Sequence, residues 1–293
     1  SFGIKVARFG DNMRNVGVTE GDKVEAQIQF GWTVDYFGIG DLVQVIDRVS
    51  DEEVEQLFEE YKELYTFDYG DYEEKTWEEH VKVQAQQEIG IRRFLEEGGY
   101  NAFTTNFEDL YGMKQLPGLA VQRLMAEGYG FAGEGDWKTA AIDRLLKIMA
   151  RGKDTGFMED YTYELASGQE AILESHMMEV DPTLAATKPR IVVSPLSMGD
   201  REDPARLVFD GKAGEGVVVS MADFGTHYKL LINEVEAFEP TTEAPNLPVA
   251  RVLWKTKPNF HEGVHSWIQA GGGHHTVVSL NLTTDQIETW AKL

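Results

Sequence analysis

The pattern of hydrophobic residues changes near residue 153, and this change constrains the fold more than any other feature of the sequence. Before it, strand-like runs such as IKVARF (4–9) alternate with amphipathic segments such as SDEEVEQLFEEYKELY (50–65). The second of these has a capping box at Ser50 and Glu53 and hydrophobic residues at helical spacing, so it predicts a helix. Strands that alternate with helices predict a parallel sheet with helices packed against it.

The rest of the chain instead contains short β-rich runs separated by Gly, Pro, Asn and Asp. This spacing is typical of an antiparallel barrel or sandwich. We therefore predict a central α/β domain over 1–153 and a C-terminal antiparallel β-barrel domain over 154–293. The β-rich runs are 190–196, 205–210, 216–225, 228–238, 249–255 and 275–281.

The composition limits the partners that the chain is expected to bind. Its net charge of −23, from 50 acidic and 27 basic residues, repels phosphate backbones, so we expect no nucleic-acid partner. No apolar run is long enough to cross a bilayer, so we expect no membrane partner. The absence of cysteine excludes disulfides and zinc–thiolate sites and agrees with a reducing, cytoplasmic location.

Two glutamates stand in surroundings that favour a functional role. Glu134 lies between two glycines in FAGEGDWK (131–138), where Asp136 is placed to cap the next helix. Glu159 lies among aromatic residues in FMEDYTY (157–163), where burial would raise its pKa unless a cation compensates. Each also has an ordinary interpretation, Glu134 as a solvated turn residue and Glu159 as an outward-facing acid on a strand.

Three of the seven histidines are candidates for a functional role beside these glutamates. His176 lies in ESHMMEV (174–180), where a lone imidazole is either a hydrogen-bonded core residue or a metal ligand. His274 and His275 follow three glycines in AGGGHHTVV (270–278). Adjacent side chains on a strand point to opposite faces, so we expect only one of the pair to reach a common site. A polar turn is the alternative interpretation of the pair.

Two carboxylates and two imidazoles form a donor set that suits Mn²⁺ or a related octahedral cation with open positions for substrate or water. These residues are far apart in the sequence, and no local motif brings them together. Only the fold could assemble such a site.

A highly specific block, AFTTNFEDLYGMKQLPGLAVQRLMAEGYGFAGEGDWKTAA (102–141), carries a resemblance to a known family. With several shorter stretches it makes the chain similar to the L-arabinose isomerases, over nearly its whole length. The shorter stretches are RFGDNMRNV (8–16), GFMEDYTYE (156–164), SHMMEV (175–180), DPARLVF (203–209) and AGGGHHTV (270–277).

The resemblance implies a metal-dependent aldose–ketose isomerase that converts L-arabinose to L-ribulose, and in many members D-galactose to D-tagatose. The cofactor implied is Mn²⁺, with Co²⁺ or Mg²⁺ as substitutes. The fold implied is that of the fucose and arabinose isomerases. The partners implied are a small aldose sugar and further copies of the chain, in a homo-oligomer that is a tetramer or a hexamer.

The resemblance also assigns roles to residues of this sequence. The metal ligands implied are Glu134, Glu159, His176 and His275, and the two glutamates form the acid–base pair of an enediol reaction. For the sugar pocket, it implies the residues Met13, Phe107, Tyr161 and His274. His275 is then expected to be the ligand of the histidine pair, with His274 turned elsewhere and at most lining the pocket.

Two departures from the family pattern leave alternatives open. Full-length relatives carry another α/β domain before the equivalent of Phe2 and continue past the equivalent of Leu293. We therefore expect a truncated or fragmentary chain, or an unusually short isomerase. A metal- and sugar-binding scaffold without turnover, or an isomerase of another aldose such as fucose, are the alternative functions.

Overall fold

A computed structural model describes residues 2–292 of the chain. The thirteen strands within this range are β1 (Lys5–Phe9), β2 (Thr33–Phe37), β3 (Thr66–Asp68), β4 (Ala102–Thr105), β5 (Gly130–Ala132), β6 (Thr155–Glu164), β7 (Ala171–Ser175), β8 (Arg190–Val193), β9 (Ala205–Val208), β10 (Gly214–Asp223), β11 (Tyr228–Phe238), β12 (Val252–Thr256) and β13 (His275–Ser279). The α-helices are α1 (Lys23–Phe30), α2 (Ile39–Ile46), α3 (Asp51–Leu64), α4 (Glu74–Gly98), α5 (Gly118–Ala126), α6 (Trp137–Met149), α7 (Phe260–Ala270) and α8 (Thr284–Ala291).

The first part of the chain forms a four-stranded sheet in the order β2-β1-β4-β5, and each neighbouring pair is parallel. Strands β4 and β5 are buried throughout, as expected for a parallel sheet that is covered on its faces. Helix α3 begins at the predicted capping box, because the Ser50 side chain accepts a hydrogen bond from the backbone N–H of Glu53 and the Glu53 carboxylate accepts one from the backbone N–H of Ser50.

The second part forms a barrel in which six strands close in the order β10-β11-β12-β7-β6-β13. Every neighbouring pair in this ring is antiparallel. Along β6, Phe157 belongs to the hydrophobic core that includes the parallel sheet, whereas Met158 belongs to a second core with other barrel residues. This alternation places Glu159 on the side of Phe157, facing the parallel sheet.

Helix α6 lies between the two parts of the structure. It contacts β1, β4 and β5 of the parallel sheet and also β6, β10 and β13 of the barrel. Its first residue, Trp137, is fully buried. The segment that leads into α6 is therefore held against both sheets, and it is the segment that contains Glu134.

The parallel-sheet α/β part followed by a mainly antiparallel β part is the predicted fold, and that prediction is confirmed. A third, small sheet in the order β3-β8-β9 joins strands from both sides of residue 153. Helix α7 was not expected from the sequence, because helical periodicity fades beyond residue 153. Among the residues described, no helix is long and apolar enough to cross a membrane.

Glu88 on α4 anchors a buried ionic network, and its removal is expected to destabilise the protein strongly. Its side chain is fully buried, accepts a hydrogen bond from the Tyr61 hydroxyl at 2.5 Å and lies 3.3 Å from Arg123 Nε. Glu88→Ala leaves the buried part of Arg123 without this counter-charge, so we expect the free energy of unfolding to fall by about 3–5 kcal/mol.

Urea denaturation of both Glu88→Ala and Glu60→Ala tests this expectation. Glu60 pairs with the same arginine at 2.6 Å, but its side chain is half exposed. We expect Glu60→Ala to cost about 1 kcal/mol or less. Equal losses of stability in the two variants would show that burial of the ion pair has no special effect.

Candidate metal centre

The candidate centre lies where the carboxyl ends of β1, β4 and β5 face the barrel strands β6 and β13. Ligands of open parallel sheets bind at this edge because the loops that follow the strands converge there. Glu134 lies in the short loop between β5 and α6 and has a φ of 62°, which is unusual for a residue other than glycine. Its side chain is mostly buried, with 14% exposed.

The glycines on each side of Glu134 allow other parts of the site to approach it. A Cβ on Gly133 would lie 2.8 Å from Cε1 of His176. A Cβ on Gly135 would lie 2.7 Å from the backbone of Asn12. Both distances are too short for real carbon contacts, so larger residues would displace a candidate ligand or the loop that follows β1.

His275 is the first residue of β13 and is almost completely buried. Its Nδ1 lies 3.0 Å from Oδ2 of Asp136, and its Nε2 lies 3.6 Å from Oε2 of Glu134. A carboxylate on Nδ1 favours a proton on that nitrogen and leaves the Nε2 lone pair free to bind a metal.

His176 follows the end of β7 and is also buried. Its Nδ1 lies 2.6 Å from Oε2 of Glu179, so it has the same carboxylate support as His275. Burial opposes charge on the imidazole, but Glu179 outweighs burial and raises the pKa of His176 to about 9. Its Nε2 lies 4.0 Å from Oε2 of Glu159.

Glu134, His176 and His275 together form a candidate metal site. They each offer one ligand atom, and these atoms lie within 4.8 Å of one another. Glu134 Oε2 and His275 Nε2 are buried and have no hydrogen-bond partner within residues 2–292. Buried polar atoms are normally partnered, so two orphaned acceptors that face each other fit an ion between them.

Glu159 is adjacent to this cluster but is not one of its three members. It lies opposite His275 in the pairing of β6 with β13, and 26% of its side chain is exposed. Its assignment as the fourth metal ligand stays a prediction, as do the roles of the other three residues.

His274 also lies beside Glu134 but is not one of the three cluster members, so its expected role as at most a pocket residue stays a prediction. Its Nε2 lies 3.6 Å from Oε2 of Glu134, the same separation as that of His275. The strand β13 begins only at His275, so strand alternation does not apply to His274 in the preceding bend. His274 is more exposed, at 30% of its side chain against 2% for His275.

The imidazoles and a lysine keep the carboxylates of the site ionised. Burial opposes the charge of Glu134, but His274 and His275 outweigh burial and hold its pKa below the usual range of a glutamate. Burial also opposes the charge of Asp136, where Lys138 and His275 prevail and hold the pKa well below its ordinary value.

A cavity of about 310 Å³ opens beside the centre. Phe107 and Tyr161, two of the predicted sugar-binding residues, line it together with Glu134, Glu159 and His176. The remaining lining residues are Leu116, Asp160, Met177, Met178, Glu179, Leu196 and Met198.

The other two predicted sugar-binding residues, Met13 and His274, lie beside Glu134 and are not in this lining, as far as the structure describes the chain. The backbone N–H of Met13 donates to the carbonyl oxygen of Glu134 at 3.0 Å. Met13 is thus placed by the same segment that carries the candidate ligand.

Sequence reasoning missed the supporting carboxylates of both histidines. Asp136 was predicted to cap α6, and it does so by accepting a hydrogen bond from Thr139 N, but its other oxygen contacts His275. Glu179 stands three residues after His176 in SHMMEV. An acid near a candidate histidine is the signal that could have identified it.

The fold and the site define an α/β and antiparallel-β protein with a candidate metal centre beside a cavity that carboxylate, imidazole and apolar side chains line. The family models for the L-arabinose isomerase central domain and the L-arabinose isomerase C-terminal domain match residues 5–152 and 154–293. The chain belongs to the L-arabinose isomerase family.

Curated relatives from several bacteria are highly similar to the chain. An L-arabinose isomerase 2 of Bacillus licheniformis is 78% identical over 293 residues, which is 100% of this chain and 62% of that protein. The L-arabinose isomerase of Oceanobacillus iheyensis is 77% identical over the same shares of the two chains. The L-arabinose isomerase of Geobacillus stearothermophilus is 59% identical, over 99% of this chain and 58% of that protein. The chain thus spans about three fifths of the length of these relatives.

Proposed function

We propose that the protein is a metal-dependent aldose–ketose isomerase that converts L-arabinose to L-ribulose. The observation that carries the proposal is the pair of buried, unpartnered atoms within the described chain, Glu134 Oε2 and His275 Nε2, beside His176 and a cavity of about 310 Å³. Membership of the L-arabinose isomerase family and the names of its relatives support the choice of substrate.

The donor set fits a divalent cation, and we propose Mn²⁺, with Co²⁺ or Mg²⁺ as substitutes. Glu134, His176 and His275 would hold it, with Glu159 as the fourth ligand. Oxygen and imidazole donors suit Mn²⁺, and the absence of cysteine removes the thiolates that favour softer metals. When bound, such a cation supplies Lewis-acid stabilisation of the negative charge that develops on the sugar oxygens.

The chain's own side chains supply the proton transfers. Isomerisation through an enediol moves a proton between C1 and C2 of the sugar and shuttles protons between O1 and O2. Glu134 and Glu159 are together the proposed acid–base pair, because both carboxylates line the same cavity. The histidines hold the pKa of Glu134 below its usual range against the effect of burial, so its carboxylate is ionised near neutral pH.

The neighbouring residues would orient the sugar. Phe107 and Tyr161 line the cavity, and we propose that they contact the substrate. Met13, through its backbone N–H, and His274, through its imidazole, both lie beside Glu134, so they are proposed to complete the pocket. The buried carboxylates Asp136 and Glu179 would hold the two ligand imidazoles in orientation.

Three further expectations remain proposals. They are conversion of D-galactose to D-tagatose, assembly into a homo-oligomer that is a tetramer or hexamer, and a cytoplasmic location. The division into domains over 1–153 and 154–293 also stays a prediction.

Turnover of a panel of aldoses tests the proposed function. The purified chain, incubated with Mn²⁺ and L-arabinose, is expected to form ketose. Chelation should stop the reaction, and added Mn²⁺ should restore it. Parallel reactions with D-galactose and L-fucose measure the specificity.

Each other outcome identifies a different alternative. Tight Mn²⁺ binding without ketose from any sugar would indicate a scaffold that binds metal without turnover. Turnover of L-fucose without turnover of L-arabinose would refute the proposed substrate. Ketose formation at the same rate with chelator present would refute the metal dependence.

A further inference from the structure

Lys138 occupies a position that is unfavourable for a charged amine. It is the second residue of α6, and only 1% of its surface is exposed. Burial penalises an ammonium group, and the positive end of the helix dipole penalises it further. Specific contacts must therefore offset these costs.

Its ammonium group joins two separate parts of the candidate site. Nζ lies 3.5 Å from Oδ1 of Asp136, whose other oxygen contacts His275. The same Nζ donates to the carbonyl oxygen of Val18 at 2.9 Å and to that of Glu20. One charge thus contacts both the carboxylate behind a candidate ligand and the end of the loop after β1.

The loop after β1, residues 10–20, carries Met13 and is bonded to the Glu134 segment at its other end. Met13 N donates to the carbonyl oxygen of Glu134 at 3.0 Å, and Asn12 Nδ2 lies 3.4 Å from the carbonyl oxygen of Gly135. Gly21, just after this loop, packs closely against the aliphatic part of the Lys138 side chain, since a Cβ at that position would lie 2.9 Å from Cδ of Lys138. Lys138 therefore holds the end of this loop opposite to the Met13 attachment.

We propose that Lys138 is a positioning residue that fixes both the His275 imidazole and the Met13 loop through one ammonium group. The inference rests on the proposed function, because it concerns the same site. It implies that one residue supports both metal binding and sugar binding. Lys138 is not among the residues to which the family resemblance assigns a role.

Lys147 provides a matched control on the same helix. It is 2% exposed, donates to the carbonyl oxygen of Met125 at 3.0 Å and pairs with Asp181 at 2.5 Å. The two lysines thus lie on the same helix, are equally buried and have partners of the same types. The residues that Lys147 contacts, however, have no assigned role in the site.

Calorimetric titration of metal-free protein with Mn²⁺ compares Lys138→Met with Lys147→Met. We expect Lys138→Met to weaken Mn²⁺ binding about 10-fold, the lower end of the range for direct supporting partners of metal ligands, because Lys138 acts on His275 through Asp136. Both variants should lower the melting temperature of the metal-free protein, but Lys147→Met should bind Mn²⁺ as the wild type does. Equal Mn²⁺ affinity in the two variants would overturn the proposal.

Two further measurements separate positioning from a general loss of stability. In a His275→Ala background, Lys138→Met should have no additional effect on Mn²⁺ affinity, because its effect acts through that imidazole. Amide hydrogen exchange in residues 11–20 should rise in metal-free Lys138→Met and stay unchanged in Lys147→Met. Additive losses of Mn²⁺ affinity in the double variant would contradict the role of Lys138 in positioning His275. Unchanged hydrogen exchange in residues 11–20 would contradict its role in holding the Met13 loop.

Lys138→Gln covers the case in which Lys138→Met does not fold. It keeps a hydrogen-bond donor but removes the charge, so weaker Mn²⁺ binding is again expected and wild-type binding would count against the proposal. Failure of the proposed function has a different signature, because the wild type itself would then bind no Mn²⁺ or form no ketose.

Discussion

Glu134→Gln is expected to lower kcat/KM for L-arabinose by about 10³-fold or more. The substitution removes the negative charge that faces His176 and His275 and the basic oxygen of a proposed acid–base residue. General acid–base catalysis alone contributes about 10²- to 10⁴-fold, and weaker metal binding adds to the loss. A coupled ketose assay at saturating Mn²⁺ measures the change.

The protein should remain folded, since glutamine has nearly the shape of glutamate. The unusual backbone at position 134, with φ of 62°, is equally accessible to both residues. The backbone carbonyl that accepts the hydrogen bond from Met13 is unchanged. A melting temperature close to that of the wild type would assign the loss of activity to the side chain's charge.

Glu164→Gln is the matched control for this experiment. Glu164 ends β6, the strand that carries Glu159, and its side chain is exposed. We expect wild-type turnover from this variant. If Glu134→Gln also kept full activity, the proposed role of Glu134 would be refuted, and the acid–base pair would have to be sought elsewhere.

Much of the fold was predictable because local signals agreed with tertiary packing. The capping box at Ser50 and the periodic run after it predicted α3, and Asp136 predicted the start of α6. Helix α7 was missed although Asn259 caps it and Gly271 ends it. Its sequence, FHEGVHSWIQA, lies among β-rich runs and contains an internal glycine and β-branched residues, which lower helix propensity.

The site was predictable to a smaller extent, because its residues meet only through long-range packing. Glu134, His176 and His275 were each ambiguous from their neighbours, and family resemblance selected them. Their convergence depends on α6, which presses the end of β5 against β6 and β13. Local periodicity contains no information about such a contact between distant strands.

The glycines before the histidine pair show a similar limit. Three consecutive glycines predict that other atoms can approach the backbone closely, but not which atoms do so. Gly271 ends α7 with a φ of 85°, and a Cβ on Gly272 would lie 2.3 Å from Nε1 of Trp267. That indole donates to the carbonyl oxygen of Gly273 at 3.2 Å. The glycines therefore accommodate a helix end and a tryptophan, and these contacts place the start of β13.

The start of β13 determines how the two adjacent histidines differ, although both lie 3.6 Å from Glu134. His275 has a supporting carboxylate on Nδ1, is 2% exposed and belongs to the cluster with His176. The raised pKa of His274 comes mainly from Glu134, against the opposing effect of burial, and its side chain is 30% exposed. The two residues should therefore affect different steps.

We expect His275→Ala to weaken Mn²⁺ binding by about 100-fold or more. A residue that binds the metal directly contributes at least as much to metal affinity as the carboxylate that supports it. His274→Ala should leave Mn²⁺ affinity within about threefold of the wild type and raise KM for L-arabinose, since uniform substrate binding is lost while chemistry continues.

Calorimetry with Mn²⁺ on metal-free protein and steady-state kinetics at saturating Mn²⁺ measure the two effects separately. Melting temperatures of the metal-free variants control for the cavity that alanine leaves at buried position 275. The reverse pattern, with metal affinity lost in His274→Ala and kept in His275→Ala, would exchange the two assignments, and equal losses would make both imidazoles ligands.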